Sequence, residues 1–238
     1  MSTLILYDLP SKGRCACWSL NPWKTRLALN YKGIDYETKW LEYPDVAPTL
    51  KSFGLSPNSE GTHYTIPAVQ LPDGIVMMDS RKIASELEHR YPSPSLRLDS
   101  PVLKKVEGLI PRLTAPLVGV FMPKVPNGLL NPPSAEYFER TRAERFGKTL
   151  SDLGTDSDEE KAWAQVESPL KEMGEILKAE GGPFALGKTV SYADFVIVSL
   201  LQYAKRVDEA IYERAVAIEP SLRTVFDASK QWLERDDR

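Results

Sequence analysis

The chain has 238 residues, 42% hydrophobic and 26% charged, with 30 Lys plus Arg against 33 Asp plus Glu and a net charge of -3. This is the composition of a soluble globule with a sizeable core, in one large or two smaller domains. It excludes the clustered basic excess of a nucleic-acid-binding surface, and no uncharged run approaches the roughly 18 residues of a membrane span.

In chain order, the apolar run at 3–9 (TLILYDL) has the length of a buried strand. Asp8 interrupts it and no basic segment precedes it, so no secretory leader is expected. Asn21-Pro22 predicts a helix start, with Asn21 as N-cap and Pro22 at the first helical position. Trp23, Leu27 and Tyr31 then share one face until Gly33 supplies a left-handed stop. A second strand is expected at 34–41, followed by a broken segment. Residues 66–71 and 75–78 flank the turn Pro72-Asp73-Gly74 and read as a hairpin. Ile83, Ala84, Leu87 and Tyr91 mark a helix that starts at Ser80 and stops at Pro92. Together these elements describe an α/β layer with a mixed sheet.

A Pro- and Ser-rich stretch follows, dividing the chain into a domain at 1–92, a linker at 93–101 and a second domain at 102–238. Beyond it the pattern is helical, at 102–113, 135–150, 158–180, 193–206 and 222–234, without a strand pair. Six prolines between 111 and 133 predict a kinked or loop-like region, although Leu117, Val118, Val120, Phe121 and Met122 make it apolar. The run at 191–194 (SYAD) has the form of a capping box ahead of a helix that is apolar nearly all round, with Val190 placed to pack on Phe195.

The scarce reactive residues limit the chemistry. Cys15 and Cys17 are too close for an unstrained bridge, and a reducing, cytoplasmic setting is expected. With only His63 and His89 in addition, the spacing suits no common metal site, so no metal is expected. The sequence has no Gly-rich phosphate loop, no G-x-S-x-G elbow and no sustained heptads.

An α/β layer, a proline before a hairpin, an acidic–Ser helix start and a helical second half together resemble the cytosolic glutathione transferases. The resemblance is carried by 65–69 (TIPAV), by Asp79-Ser80-Arg81 and by the capping box, and runs essentially end to end. Segments 19–26 (SLNPWKTR) and 131–142 (NPPSAEYFERTR) are similar to the fungal etherase-related class FuA, known for catalytic-serine enzymes and ligandin-type binding of aromatic compounds. The resemblance implies a thioredoxin-like N-terminal domain, an all-helical C-terminal domain, glutathione as co-substrate and a homodimer.

It also assigns roles. Ile66 would precede a cis proline, Pro67, and pair with the glutathione backbone in strand fashion, the plain alternative being an edge-strand proline. Ser80 and the amides of the Asp79-Ser80-Arg81 helix start would hold the γ-glutamyl carboxylate, with Asp79 facing its ammonium; a simple cap is compatible with this. Lys51 and His63 either hold the glycine carboxylate or stand as solvated surface groups. Ser19 falls where relatives place serine or cysteine, and a hydroxyl there can donate to the glutathione sulfur and favour the thiolate. Asn21 can also reach the sulfur, unless it only caps. Cys17 is the alternative reactive thiol, suited to a mixed disulfide.

The hydrophobic ligand site is expected between the domains, from Trp18 on one side and Leu117, Phe121 and Met122 on the other. The expected function is a serine-type glutathione transferase acting on aromatic or other hydrophobic electrophiles, with peroxidase activity and polyphenol binding as further roles. The alternatives are a non-catalytic ligand carrier, a Cys17-dependent thiol reductase, and a structural module that borrowed the fold.

Overall fold

The computed structural model describes residues 3–237. The apolar run near the N-terminus forms β1 (Leu4–Asp8), an interior strand of a four-stranded mixed sheet. β2 (Tyr36–Trp40) pairs with it in parallel, with Leu4 opposite Tyr36. On the other side β3 (Ala68–Gln70) runs antiparallel, with Leu6 opposite Val69, and β4 (Val76–Met78) closes the order β2-β1-β3-β4. The parallel pair needs a crossover, which α1 (Leu20–Lys32) supplies. This is the thioredoxin-like arrangement expected above.

Helix α1 buries Trp23 and Leu27 and ends at Gly33, whose φ of 65° is one glycine adopts without strain. Its start differs from expectation. Ser19, not Asn21, occupies the N-cap position, and Pro22 sits in the first turn. A first-turn amide has no intrahelical acceptor, so proline costs little there and does not fix the boundary to one residue.

The expected broken segment contains α2 (Tyr43–Ser52). Pro44 and Pro48 hid it, but Pro44 lies in the first turn, and Val46 and Leu50, four apart, bury on one face. The hairpin turn is as expected: Gly74 has φ 90°, and Asp73 Oδ1 accepts from the Ile75 amide at 3.2 Å. α3 (Ser80–Arg90) follows.

The connecting stretch is clamped to the sheet domain. Glu88 accepts from the Ser95 hydroxyl at 2.6 Å and the Leu96 amide at 2.9 Å. Lys32 Nζ donates to Glu88 and to the carbonyls of Tyr91 and Pro94. α4 (Pro101–Thr114) begins inside the expected linker, because Ser100 caps it and Pro101 suits its first position.

The proline-rich region is kinked into short helices: α5 (Val118–Phe121), a 3-10 turn at Met122–Lys124 and α6 (Val125–Leu129). α7 (Pro132–Phe146) starts earlier than expected, with its prolines in the first turn, and stops at Gly147 with φ 70°; α8 (Leu150–Thr155) follows separately. α9 (Glu159–Lys178) and α10 (Tyr192–Val207) match their patterns. α11 (Glu209–Ile218), capped by Asp208, was not anticipated. The expected helix at 222–234 divides at Ser229 into α12 (Ser221–Ala228) and α13 (Lys230–Leu233).

Helix α10 is the central post. Asp194 accepts from the amide and hydroxyl of Ser191, both at 2.8 Å, and from the Ala185 amide at 2.7 Å. Phe195 meets Tyr31 of α1 edge-on at 5.5 Å, and Tyr192 Oη donates to the Ser80 carbonyl at 3.1 Å, tying the helical half to the sheet domain. Among the described residues no helix is long and apolar enough to cross a membrane.

Candidate active site

A cleft of about 370 Å³ lies where α1, α2 and the segment before β3 face α5, α7 and α10. Ser19 is on its wall, half-buried, at the head of α1. Its backbone is extended, as an N-cap requires, yet its hydroxyl makes no cap hydrogen bond. The oxygen therefore stands at a helix N-terminus, where partial positive charge favours an anion, without being consumed by the helix amides.

The position of that oxygen is set from below. Asp8 at the end of β1 pairs with Arg26 of α1 at 2.9 Å, both side chains fully inaccessible, and Arg26 also donates to Thr38 of β2 at 2.9 Å. A buried pair of this kind contributes little net stability against an apolar replacement, but losing one partner is severe. It fixes β1, α1 and β2 in register beneath the cleft.

Cys17 lies in this buried layer. Its thiol is inaccessible, and burial, reinforced by the charge of Asp8, pushes it well above the ordinary thiol range. A protonated, enclosed thiol is neither a nucleophile nor a partner for a mixed disulfide, and Cys17 is absent from the cleft wall. These properties run against the Cys17-dependent alternative.

Ile66 lines the cleft and precedes Pro67 through a cis bond. It lies outside the ladder that begins at Ala68, and neither its amide nor its carbonyl is paired among the described residues. Pro67 itself is buried beneath the surface.

The helix start at Asp79 is partly committed. Asp79 Oδ1 accepts from the amides of Arg81 at 2.8 Å and Lys82 at 3.1 Å, so those two amides are not open to an anion as expected. Among the described residues the Ser80 hydroxyl and the Ser80 amide have no hydrogen-bond partner, so these are the polar groups left open there. The Arg81 side chain donates to the Leu98 carbonyl at 3.1 Å and lies 3.6 Å from Glu107 of α4.

The remaining assignments divide. Trp18, Phe121 and Met122 line the cleft, as does Asn21, whose amide oxygen accepts from Lys24 Nζ at 2.9 Å. Leu117 does not: it faces the interior of the helical half beside Trp163 and Ile211, because the kink after α4 turns it inward. Lys51 and His63 are exposed and off the wall, although Lys51 Nζ lies 5.4 Å from the ring of Tyr64, which lines it.

The wall also holds residues that carried no assignment, among them Tyr43, Tyr137, Phe138, Arg142 and Tyr203. The rings interlock, with Phe121 stacked on Tyr203 at 5.1 Å and Tyr43 stacked on Tyr137 at 5.9 Å. Phe138 and Arg142 are four residues apart on α7, a same-face spacing visible in the sequence. Tyr203 sits in a helix apolar nearly all round, where no periodicity could single it out. Burial raises the Tyr43 hydroxyl to about 12, and that of Tyr203 is raised for the same reason. Among the described residues no group of three or more His, Cys, Asp or Glu side chains is arranged to hold a metal.

Comparison with known proteins agrees with this geometry. Residues 18–90 match the glutathione S-transferase N-terminal domain and residues 106–219 the glutathione S-transferase C-terminal domain. The chain is 34% identical to the glutathione S-transferase-like protein ustS of Aspergillus flavus, over 98% of this chain and 92% of that one. Its fold superposes on the glutathione S-transferase CsGST63524 of Ceriporiopsis subvermispora, solved in complex with glutathione, with TM-score 0.86 and 31% identity over 97% of this chain and 98% of that one. The glutathione transferase GSTFuA2 of Phanerochaete chrysosporium gives TM-score 0.86 and 30% identity over the whole of both chains.

Proposed function

The chain belongs to the glutathione S-transferase family, and from that premise we propose that Ser19 activates the thiol of glutathione for attack on an aromatic or other hydrophobic electrophile. The observation that carries the reading is the Ser19 hydroxyl, at the N-terminus of α1 on the cleft wall and free of a capping bond. Glutathione lies with its cysteine backbone along Ile66 and its γ-glutamyl end toward Ser80, while Lys51, beside Tyr64, and His63, between the wall residues Thr62 and Tyr64, are the two candidates for its glycine carboxylate. Ser19 Oγ–H donates to the sulfur as the thiol proton leaves to solvent. The thiolate then forms a carbon–sulfur bond, and the leaving group departs with the bonding pair.

Magnitudes divide the work. A thiol of pKa about 8.5 is about 3% ionised at pH 7, and lowering that pKa to about 6.5 raises the thiolate roughly 25-fold. The accompanying loss of nucleophilicity, with a Brønsted slope of about 0.4–0.5, removes roughly six- to tenfold of the gain. The remaining acceleration comes from holding the electrophile against the sulfur in a ring-lined cleft. The same lining supports a second reading, ligandin-type retention of polyphenol-like molecules that do not react. Peroxidase turnover uses the same thiolate, two glutathiones reducing a hydroperoxide to alcohol and water with release of the disulfide. A cytoplasmic homodimer belongs to this reading.

The test is thiol-dependent turnover of a chloronitrobenzene by the protein and by its Ser19→Ala variant, beside a glutathione titration. Turnover that falls in the variant while glutathione still binds supports the reading. Absence of both glutathione binding and turnover overturns it.

A further inference from the structure

Among the described residues lining the cleft, Arg142 is the only Lys, Arg, Asp or Glu. It is half-buried, its guanidinium 4.4 Å from the centroid of the Phe138 ring and 5.9 Å from that of Tyr43. Four other arginines, Arg26, Arg112, Arg214 and Arg223, are each matched by a carboxylate. Arg142 has none among the described residues; it makes one hydrogen bond, from Nη1 to Thr141 Oγ1 at 3.1 Å. A guanidinium offers five donors in a planar fork, and most of these are unspent.

The groups around it have the same polarity. The hydroxyls of Tyr43 and Tyr203 have no hydrogen-bond partner among the described residues, and both rings are close enough to feel the charge of Arg142. A tyrosine hydroxyl is protonated at neutral pH, and burial raises both further, so they can act as neutral donors. One side of the cleft therefore presents a cation and two donors on a ring-lined floor, with no anion to answer them. A planar acceptor of negative charge attached to an aromatic ring satisfies that set, and the fork of an arginine matches a carboxylate best.

We propose that the electrophile site selects aromatic substrates bearing a carboxylate, and that Arg142 is the specificity-determining residue that pairs with it. This rests on the transferase reading for its substrate but not for its binding chemistry, so the two can fail separately.

The experiment measures affinity for naphthoate and its neutral counterpart naphthamide, and kcat/KM with glutathione for chloronitrobenzoate and chloronitrobenzamide. It uses the full chain, Arg142→Gln, Arg142→Lys, and Arg145→Gln as a control for an exposed charge on the same helix. The full chain and the Arg145 variant prefer the acid by about tenfold or more, as expected of a hydrogen bond between charged groups. The glutamine variant loses that preference and the lysine variant keeps part of it. Equal affinity for acid and amide in the full chain overturns the proposal, as does a preference that survives Arg142→Gln. So does a weakened glutathione KM in the glutamine variant with the acid preference intact, which assigns the cation to glutathione itself. A clear acid preference in binding with neither glutathione binding nor thiol-dependent turnover of either electrophile supports the binding chemistry of this inference and overturns the transferase reading.

Discussion

The backbone amide of Cys17 donates to the carbonyl of Asp236 at 2.8 Å, so the end of the chain straps the loop that carries Ser19. The strap is fastened at further points. Arg14 pairs with Asp236, Asn30 Nδ2 donates to the Trp232 carbonyl at 2.7 Å, and Tyr36 Oη donates to the Arg235 carbonyl at 3.3 Å. Residues from the two ends of the sequence, 199 to 222 positions apart, are thereby joined by hydrogen bonds.

Removing residues 234–238 is expected to release that loop. The thermal midpoint should fall by about 2–8 °C, the equivalent of one or two kcal/mol for a chain of this size. Hydrogen exchange should quicken at the Cys17 amide and its neighbours. Unchanged exchange there would show that the loop holds itself.

Cys17 should be unreactive in the folded protein. Its thiol is enclosed and held well above the ordinary range by burial and by Asp8, whereas Cys15 is partly exposed and raised by burial less strongly. Titration with an aromatic disulfide reagent should label Cys15 slowly and Cys17 only in denaturant. A glutathione adduct at Cys17 in the native state would restore the reductase alternative.

Glu88 gives stability a pH dependence. Burial opposes its charge, but hydrogen bonds from Lys32, Ser95 and Leu96 outweigh that and lower its carboxyl below the usual range. A group whose folded pKa is lowered stabilises above its unfolded value of about 4.3 and loses that contribution as pH falls through the folded value. Glu88→Gln should therefore cost about 1–3 kcal/mol at neutral pH in a urea titration. The gap to the unaltered chain should narrow below about pH 4. A gap independent of pH would contradict a charged role.

What the sequence made legible follows from how local each feature is. Gly33, the Pro72-Asp73-Gly74 turn and the Ser191–Asp194 motif act within a few residues, so their roles survive without knowledge of the fold. Helix α2 was hidden because proline reads as a breaker, and whether it breaks depends on which turn it enters. Ser19 was found by resemblance; its place at the N-cap depends on the helix starting two residues earlier than the competing Asn21-Pro22 signal implies. Arg142 was out of reach because its meaning lies in the absence of a carboxylate that could have come from any distant segment. Leu117 was out of reach for a similar reason, its direction being set by packing against α9.

The central claim is that the Ser19 hydroxyl stabilises the thiolate of bound glutathione. It is tested most directly by following the ultraviolet absorbance of that thiolate against pH, at saturating glutathione, in the unaltered protein and in Ser19→Ala. The account predicts a midpoint well below the free thiol's value of about 8.5 in the first and a return toward it in the second, with glutathione affinity changed by no more than a few-fold. The same midpoint in both proteins would contradict it and move the activation of the sulfur to another group on the cleft wall.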